Sequence, residues 1–247
     1  MKTILIANRK GGVGKTTTSV NLAVALSKTK RVLLIDMDTQ GHIQYGLGYK
    51  KKFKKGIHLA LKENDFKNII HKSSIENLSF IPADINFDIF KIPPKKKALK
   101  RMLLSKQIKE HFDICIIDTP PTSDIILQNA LVASKYALVP MQTEQLGYIG
   151  VIQFLKMFYK IATDLNTSFK LLGVVPTLYN KSIKAHNEII QKLENSIGKQ
   201  RVLTPIRKDF TLSEAFMVGT PISKYKPRSR GAKDYNELGK TVLDYLY

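Results

Sequence analysis

Residues Ile4 to Thr18 read ILIANRKGGVGKTTT, and this stretch decides the fold. A short apolar run, Ile4-Leu5-Ile6-Ala7, breaks into a glycine-rich loop and continues as a helix-compatible segment rich in Thr, Ala and Leu. Strand, glycine loop, then helix is the context that a phosphate-binding loop requires. Glycines let backbone N–H groups close on an anion, and the following helix start adds donors and the positive end of its dipole. The pattern makes Gly11, Gly12, Val13, Gly14, Lys15, Thr16 and Thr17 candidate nucleotide-binding residues. Lys15 would reach the terminal phosphates, and Thr16 would place a hydroxyl on Mg²⁺. One position departs from the strict pattern. Arg9 stands where a glycine is asked for, five residues before Gly14, and Lys10 adds a second lysine at the front of the loop.

Outward from this loop, apolar strands alternate with helical segments. A helix is predicted from Lys15 to about Ser27, with Val20, Ala23, Val24 and Ser27 on one face. Arg31–Ile35 is a continuous apolar strand ending at Asp36-Met37-Asp38, and Thr39–Gly56 reads as loop. A strand follows at Leu78–Pro82, and after the Ile92-Pro93-Pro94 break a basic helical stretch runs from Lys95 to about His111. Ile114–Ile117 is the next buried strand, ending at Asp118. A helix from about Asp124 to Ser134 leads to a strand at Tyr136–Pro140. A long helix then carries a stripe of Tyr148, Ile152, Leu155, Tyr159 and Ala162. A strand at Phe169–Val175, a helix marked by Ile183, Ile190, Leu193 and Ile197, and a final helix from about Gly231 to Leu246 complete the chain. Fully apolar strands need helices on both faces. The reading is therefore a doubly wound α/β fold, a mostly parallel, Rossmann-like sheet of the P-loop NTPase kind, in one domain over 1–247. Ligands of such sheets bind beyond the carboxyl ends of the strands, where Asp36, Asp38 and Asp118 fall.

Composition narrows the function classes. Of 247 residues 43% are hydrophobic, which excludes a disordered chain. Forty Lys+Arg against twenty Asp+Glu leave a formal charge of +20, a field that favours polyanions such as nucleic acid or an anionic membrane. Cys115 is the one cysteine and lies in an apolar run, which rules out an intrachain disulfide and a cysteine metal cluster. No segment reaches the roughly 20 apolar residues of a membrane span, and Met1-Lys2 runs straight into a strand without a signal layout. A cytoplasmic location is expected.

Three pieces converge on a nucleoside triphosphate. The glycine loop holds phosphates, Asp118 after its apolar run matches a carboxylate that acts on Mg²⁺, and Asp38 could orient the attacking water. Phosphoryl transfer is mostly positioning and electrostatics, so these roles suffice for hydrolysis.

KGGVGKTT, with Lys10 in front, resembles the deviant Walker A of the ParA/MinD superfamily of P-loop ATPases. DMDTQG (Asp36–Gly41) is similar to that family's second motif and CIIDTPP (Cys115–Pro121) to its Walker B region. VPMQTEQLGYIGVIQFL (Val139–Leu155) continues the match, and SEAFMVGTPISKYKPRSRGAKDYNEL (Ser213–Leu238) resembles the Soj-like ParA partition ATPases in particular. The resemblance implies ATP and Mg²⁺ as cofactors and a homodimer with ATP sandwiched between protomers. It assigns catalytic roles to Lys10, Lys15 and Asp38, with Lys10 crossing to the partner's nucleotide, and metal roles to Thr16, Asp38 and Asp118. Asn180, Pro205 and Arg207 fall where family members contact the base or its surroundings. Thr39 departs from the family's usual proline.

The same resemblance implies nonspecific double-stranded DNA binding by the ATP dimer, release on hydrolysis stimulated by a ParB-like centromere-binding partner, and nucleoid association. Arg207, Lys208, Lys224, Lys226, Arg228, Arg230 and Lys233 are the DNA-binding candidates, and phosphate contacts of this kind carry affinity without reading bases. The basic runs Lys50–Lys55 and Lys95–Arg101 have no family role. Without an N-terminal helix-turn-helix, site-specific operator binding is not expected. Cargo stays open between chromosome, plasmid and another positioned body such as a chemoreceptor cluster or carboxysome. A MinD-like membrane ATPase is the alternative, but the C-terminal stripe of Tyr235, Leu238, Val242, Leu243 and Leu246 reads as a helix packed on the domain, so no stable membrane association is expected. A cluster-carrying redox member is excluded by the single cysteine. A small-molecule ligase or kinase is disfavoured by the basic C-terminal block.

Overall fold

Strand β1 (Lys2–Ile6) is the apolar run before the glycine loop, and it lies near the middle of the sheet. The computed structural model describes residues 1–50, 53–93, 97–122 and 125–247. With β2 (Val32–Asp36), β3 (His71–Lys72), β4 (Leu78–Ile81), β5 (Ile114–Asp118), β6 (Tyr136–Gln142) and β7 (Lys170–Thr177), β1 forms one seven-stranded sheet. The order is β3-β4-β2-β5-β1-β6-β7, parallel except for the short edge strand β3. Register aligns Ile6, Asp36 and Asp118 across β1, β2 and β5, so both aspartates emerge beside the glycine loop.

The helices are α1 (Lys15–Leu26), α2 (His42–Gly46), α3 (Ile57–Glu63), α4 (Ala98–Leu104), α5 (Lys106–His111) and α6 (Ile125–Ala133). They continue with α7 (Gln145–Leu165), α8 (Lys184–Ile197), α9 (Thr211–Met217), α10 (Ile222–Tyr225) and α11 (Arg230–Leu246). Strand side chains alternate between two cores. Leu5, Leu33, Ile35, Cys115 and Ile117 join residues of α3 to α8 on one face. Ile4, Ile6, Leu34, Ile114 and Ile116 join α1, α2 and α9 to α11 on the other. Burial on both faces is why these strands read as unbroken apolar runs. Helix α11 lies against α1 at close range: a Cβ built on Gly239 would come 2.9 Å from the Ala25 Cβ.

Several elements differ from the sequence reading. The segment read as loop after Asp38 contains α2, which begins after Gly41 in a left-handed conformation and is too short to show a period. The basic stretch before β5 is two helices, because Ser105 turns to an extended ψ of 145° between them. Along α7 the buried hydrophobic side chains among the described residues are Val151, Phe154, Leu155 and Phe158. Tyr159 is 47% exposed, because Phe154 and Phe158 turn into the core, where Phe158 meets the Phe169 ring edge-on, and set the helix's rotation. In α8 Ile189 and Leu193 are buried, whereas Ile183 precedes the helix and is exposed. Edge strand β3 has no counterpart in the sequence reading. The expectations placed on Lys51, Lys52, Pro94, Lys95, Lys96 and Asp124, and on the side chain of Ala162, lie outside the described residues.

Candidate functional site

Between β1 and α1 the glycine loop turns through two left-handed residues, Gly12 at φ +72° and Gly14 at φ +84°. Side chains with a Cβ rarely adopt that conformation, so glycine is required at both positions. Helix α1 starts at Lys15 without a side-chain cap and without an acidic residue in its first turn, leaving its N-terminal N–H groups directed at the loop. Neighbouring strand ends fix the loop's shape. Asn8 donates to the Pro140 carbonyl at 2.8 Å and accepts the Lys10 N–H at 3.0 Å. Thr177 Oγ1 donates to the Val13 carbonyl at 3.1 Å, and Gln142 Nε2 to the Gly12 carbonyl at 3.3 Å. Lys15 is buried, and its Nζ donates to the Lys10 carbonyl at 3.1 Å. Burial lowers the Lys15 pKa, and the nearby Asp118 and Asp38 oppose that shift.

Asp118 ends β5 with no exposed surface and accepts hydrogen bonds from Thr16 Oγ1 and Ser19 Oγ, each at 2.8 Å. Burial pushes its pKa up to about 6, against the pull of those hydroxyls and Lys15. Asp36, its register partner, is also fully buried and is raised by burial and by Asp118. Asp36 accepts the Asp38 N–H at 3.1 Å and the Ile43 N–H at 3.0 Å, so it organises the turn into α2. Asp38 is partly exposed, and its Oδ1 accepts the Gln40 N–H at 3.1 Å. The side-chain ligands offered by Thr16 and Asp118 are oxygens, and the buried Asp118 and the partly exposed Asp38 both act on Lys15. That set suits Mg²⁺ completed by phosphates and water. Among the described residues no group of three His, Cys, Asp or Glu could hold a metal by itself.

Lys10 Nζ is held by Glu144 Oε1 at 2.7 Å, at the exposed mouth of the loop. Behind the loop a cleft of about 350 Å³ is lined by Gly12, Gly14, Thr17, Leu178, Arg207 and Phe216 among others. Of the three positions expected near the base, Arg207 lines this cleft, with Pro205 next to the lining residue Ile206. Asn180 does not line it. Its side chain accepts the Ser182 N–H at 3.0 Å within its own turn. Leu178 lines it instead, at φ +54° and 45% exposed. No residue pattern announces a leucine in that conformation. Ser19, Glu144 and Thr177 also serve the site without a motif that marks them, although Ser19 falls one turn beyond Lys15, on the side that faces Asp118.

Among the DNA-binding candidates, Arg207 commits its guanidinium to the buried Asp234, with Nη2 to Oδ1 at 2.6 Å. Lys208, Lys224, Lys226, Arg228, Arg230 and Lys233 are exposed, and none forms an ion pair among the described residues. Five of these six crowd into α10, the following turn and the first turn of α11. Lys55, from the basic run Lys50–Lys55, is paired with Glu63 at 2.9 Å and Asp65 at 2.7 Å. No helix among the described residues is long and apolar enough to cross a membrane.

A family model described as an AAA domain matches residues 1–171. The sporulation initiation inhibitor protein Soj of Bacillus subtilis is 36% identical over 98% of this chain and 98% of its own. The chromosome-partitioning ATPase Soj of Treponema pallidum is 30% identical over 98% of this chain and 97% of its own. Among solved structures, a cobyrinic acid a,c-diamide synthase from Mycobacterium smegmatis, with bound ATP analog and magnesium, matches with a TM-score of 0.82. It is 28% identical and the match covers 100% of this chain and 95% of that one.

Proposed function

The chain belongs to the ParA/MinD superfamily of P-loop ATPases, and from that premise we propose that it is a partition ATPase whose ATP-bound homodimer grips DNA without sequence preference. Its cofactors are ATP and Mg²⁺. The observation that carries the reading is the pairing of the phosphate site with a second lysine, Lys10, partly exposed at the loop's mouth and held, among the described residues, only by Glu144. A simple kinase needs only Lys15. A partly exposed cation beside the phosphates suits a nucleotide shared between two protomers, where it offsets charge that builds in the transition state.

Within one protomer the loop's N–H groups and Lys15 bind the phosphates, Thr16 and Asp118 hold the metal's side of the site, and Asp38 orients a water. Bound Mg²⁺ would neutralise charge on the phosphate oxygens. Arg207 sets the wall of the base cleft through Asp234 rather than touching DNA. The exposed lysines and arginines of α10 and α11, with Lys208, form the DNA-contacting face. A ParB-like partner stimulates hydrolysis and frees the dimer. The fold-level neighbour named as a biosynthetic synthase offers a rival reading, but such an enzyme has no use for an unpaired basic cluster of this size. Helix α11 has its apolar face packed on α1, with Tyr235 and Thr18 hydroxyls 3.2 Å apart, so it does not serve as a lipid-inserting helix.

A mobility-shift titration on random duplex DNA tests the proposal. Binding is expected with ATP and not without it. Its log affinity should fall against log salt with a slope of about −0.9 per phosphate contacted. Equal binding without nucleotide, or a flat salt response, contradicts the reading.

A further inference from the structure

His58 is completely buried on α3, behind the loop that carries Asp38. Its Nε2 is 3.1 Å from the Met37 carbonyl oxygen, and its Nδ1 is 3.1 Å from the Asp84 amide nitrogen. A ring nitrogen facing a carbonyl donates and one facing an N–H accepts, so the two contacts place the donor at Nε2 and the acceptor at Nδ1, with the Asp84 Oδ2 3.8 Å from Nδ1. The ring stacks on Phe87 with centroids 5.7 Å apart. Asp84 in turn accepts the Gly56 and Leu59 N–H groups at 2.8 and 2.9 Å, which fixes the start of α3.

The same buttress reaches the other side of Asp38. Asn86 N–H donates to the Thr39 carbonyl at 3.0 Å. Ile85 packs so closely on Gly41 that a Cβ there would come 2.8 Å from its Cγ1. Met37 and Thr39, the two neighbours of Asp38, therefore both have their carbonyls tied to α3 and the segment 84–87. The other inward positions of α3 are Ile57, Ala60 and Leu61, which would make an apolar residue the easy choice at position 58. An imidazole in such a core costs free energy unless its nitrogens are hydrogen-bonded, and here each has a backbone partner.

We propose that His58 is a positioning residue for Asp38. Its Nε2–H holds the Met37 peptide, and its Nδ1 ties that peptide to the 84–87 buttress, so the Asp38 carboxylate keeps one place at the end of β2. This rests on the reading of Asp38 as the water-orienting carboxylate.

The test uses the full chain with His58→Leu, His58→Gln and His58→Asn, beside Asp38→Asn. Gln supplies a donor toward Met37 and an acceptor toward Asp84, whereas Asn is too short to reach Met37. His58→Leu is expected to lower kcat for ATP hydrolysis by about tenfold, the scale of a slightly misplaced catalytic group, with ATP affinity within about twofold. His58→Gln should recover most of that loss. In nucleotide-free protein, amide exchange over residues 37–41 should quicken in His58→Leu while α11 stays protected. Unchanged kcat and unchanged loop exchange in His58→Leu overturn the proposal. If His58→Leu fails to fold, the amides decide: equal kcat for Gln and Asn overturns it, and loss with Asn alone supports it. Wild-type hydrolysis in Asp38→Asn would instead remove the reading of Asp38, and the loop-exchange comparison would still judge His58.

Discussion

Lys10 Nζ lies 2.7 Å from Glu144 Oε1, so the lysine at the front of the phosphate loop is paired with a carboxylate of its own chain. Glu144 sits in the turn between β6 and α7, two residues after Gln142, whose side chain braces the Gly12 carbonyl. To act on a partner's nucleotide, Lys10 must leave Glu144. The side chains are 38% and 53% exposed, and an exposed pair of this kind is worth about 0–1 kcal/mol. The latch is weak.

Removing that latch should favour the dimer. Glu144→Gln is expected to lower the protein concentration at which the ATP-dependent dimer is half formed, by about threefold on the scale of an exposed pair. Sedimentation velocity with ATP reads this directly. An unchanged or higher midpoint means that Glu144 does not restrain Lys10.

The catalytic candidates Lys15, at the phosphate loop, and Asp38, beyond the end of β2, should part company. Lys15→Ala removes the buried charge-assisted contact to the phosphates, and ATP affinity is expected to fall by about 100-fold. Asp38→Ala should keep ATP affinity, lose hydrolysis and accumulate as dimer on sizing chromatography. A monomeric Asp38→Ala protein in ATP contradicts the assignment.

Asp118 links the site to stability. Its pKa rises from 3.8 unfolded to about 6 folded, chiefly through burial. Between those values the folded protein holds more protons than the unfolded chain, so stability is lost as pH climbs through the window. The gap corresponds to roughly 3 kcal/mol carried in full above it. Asp118→Asn should therefore melt higher than wild type at pH 8 in nucleotide-free, metal-free buffer, with the advantage shrinking toward pH 4, while Mg²⁺-dependent ATP binding is lost. A variant that melts lower than wild type at pH 8 contradicts the account.

Leu178 holds φ +54° at the edge of the cleft behind the phosphate loop. A left-handed non-glycine residue stores about 1–3 kcal/mol of strain, which Leu178→Gly would relieve. The variant is expected to keep or raise its melting temperature while binding ATP more weakly, because one wall of the cleft is gone. Unchanged ATP affinity would show that Leu178 does not contact the base.

Much of this site can be read from residues alone, for reasons the fold makes plain. Gly12 and Gly14 are visible because residues with a Cβ rarely adopt their conformation, and Asp118 because a carboxylate ends an apolar run. What stays hidden depends on tertiary approach. Glu144 and His58 are ordinary letters in their own segments, and only the sheet order and the 82–87 segment bring them to Lys10 and Met37. Arg207 reads as a basic surface residue until Asp234, from α11, takes its guanidinium. On α7 the expected stripe holds at Tyr148, Ile152 and Leu155 and fails at Tyr159, for a related reason. Phe154 and Phe158 outweigh the smaller side chains that share their helix, and periodicity does not weigh residues by the rings they meet.

Lys10→Ala tests the central claim most directly, because Lys15, Thr16 and Asp118 are left intact and only the sharing of the nucleotide is put at risk. In sedimentation velocity with ATP and Mg²⁺, the variant should bind ATP yet stay monomeric, and its hydrolysis should fall to background. A Lys10→Ala protein that dimerises and hydrolyses ATP like the wild type would contradict the account.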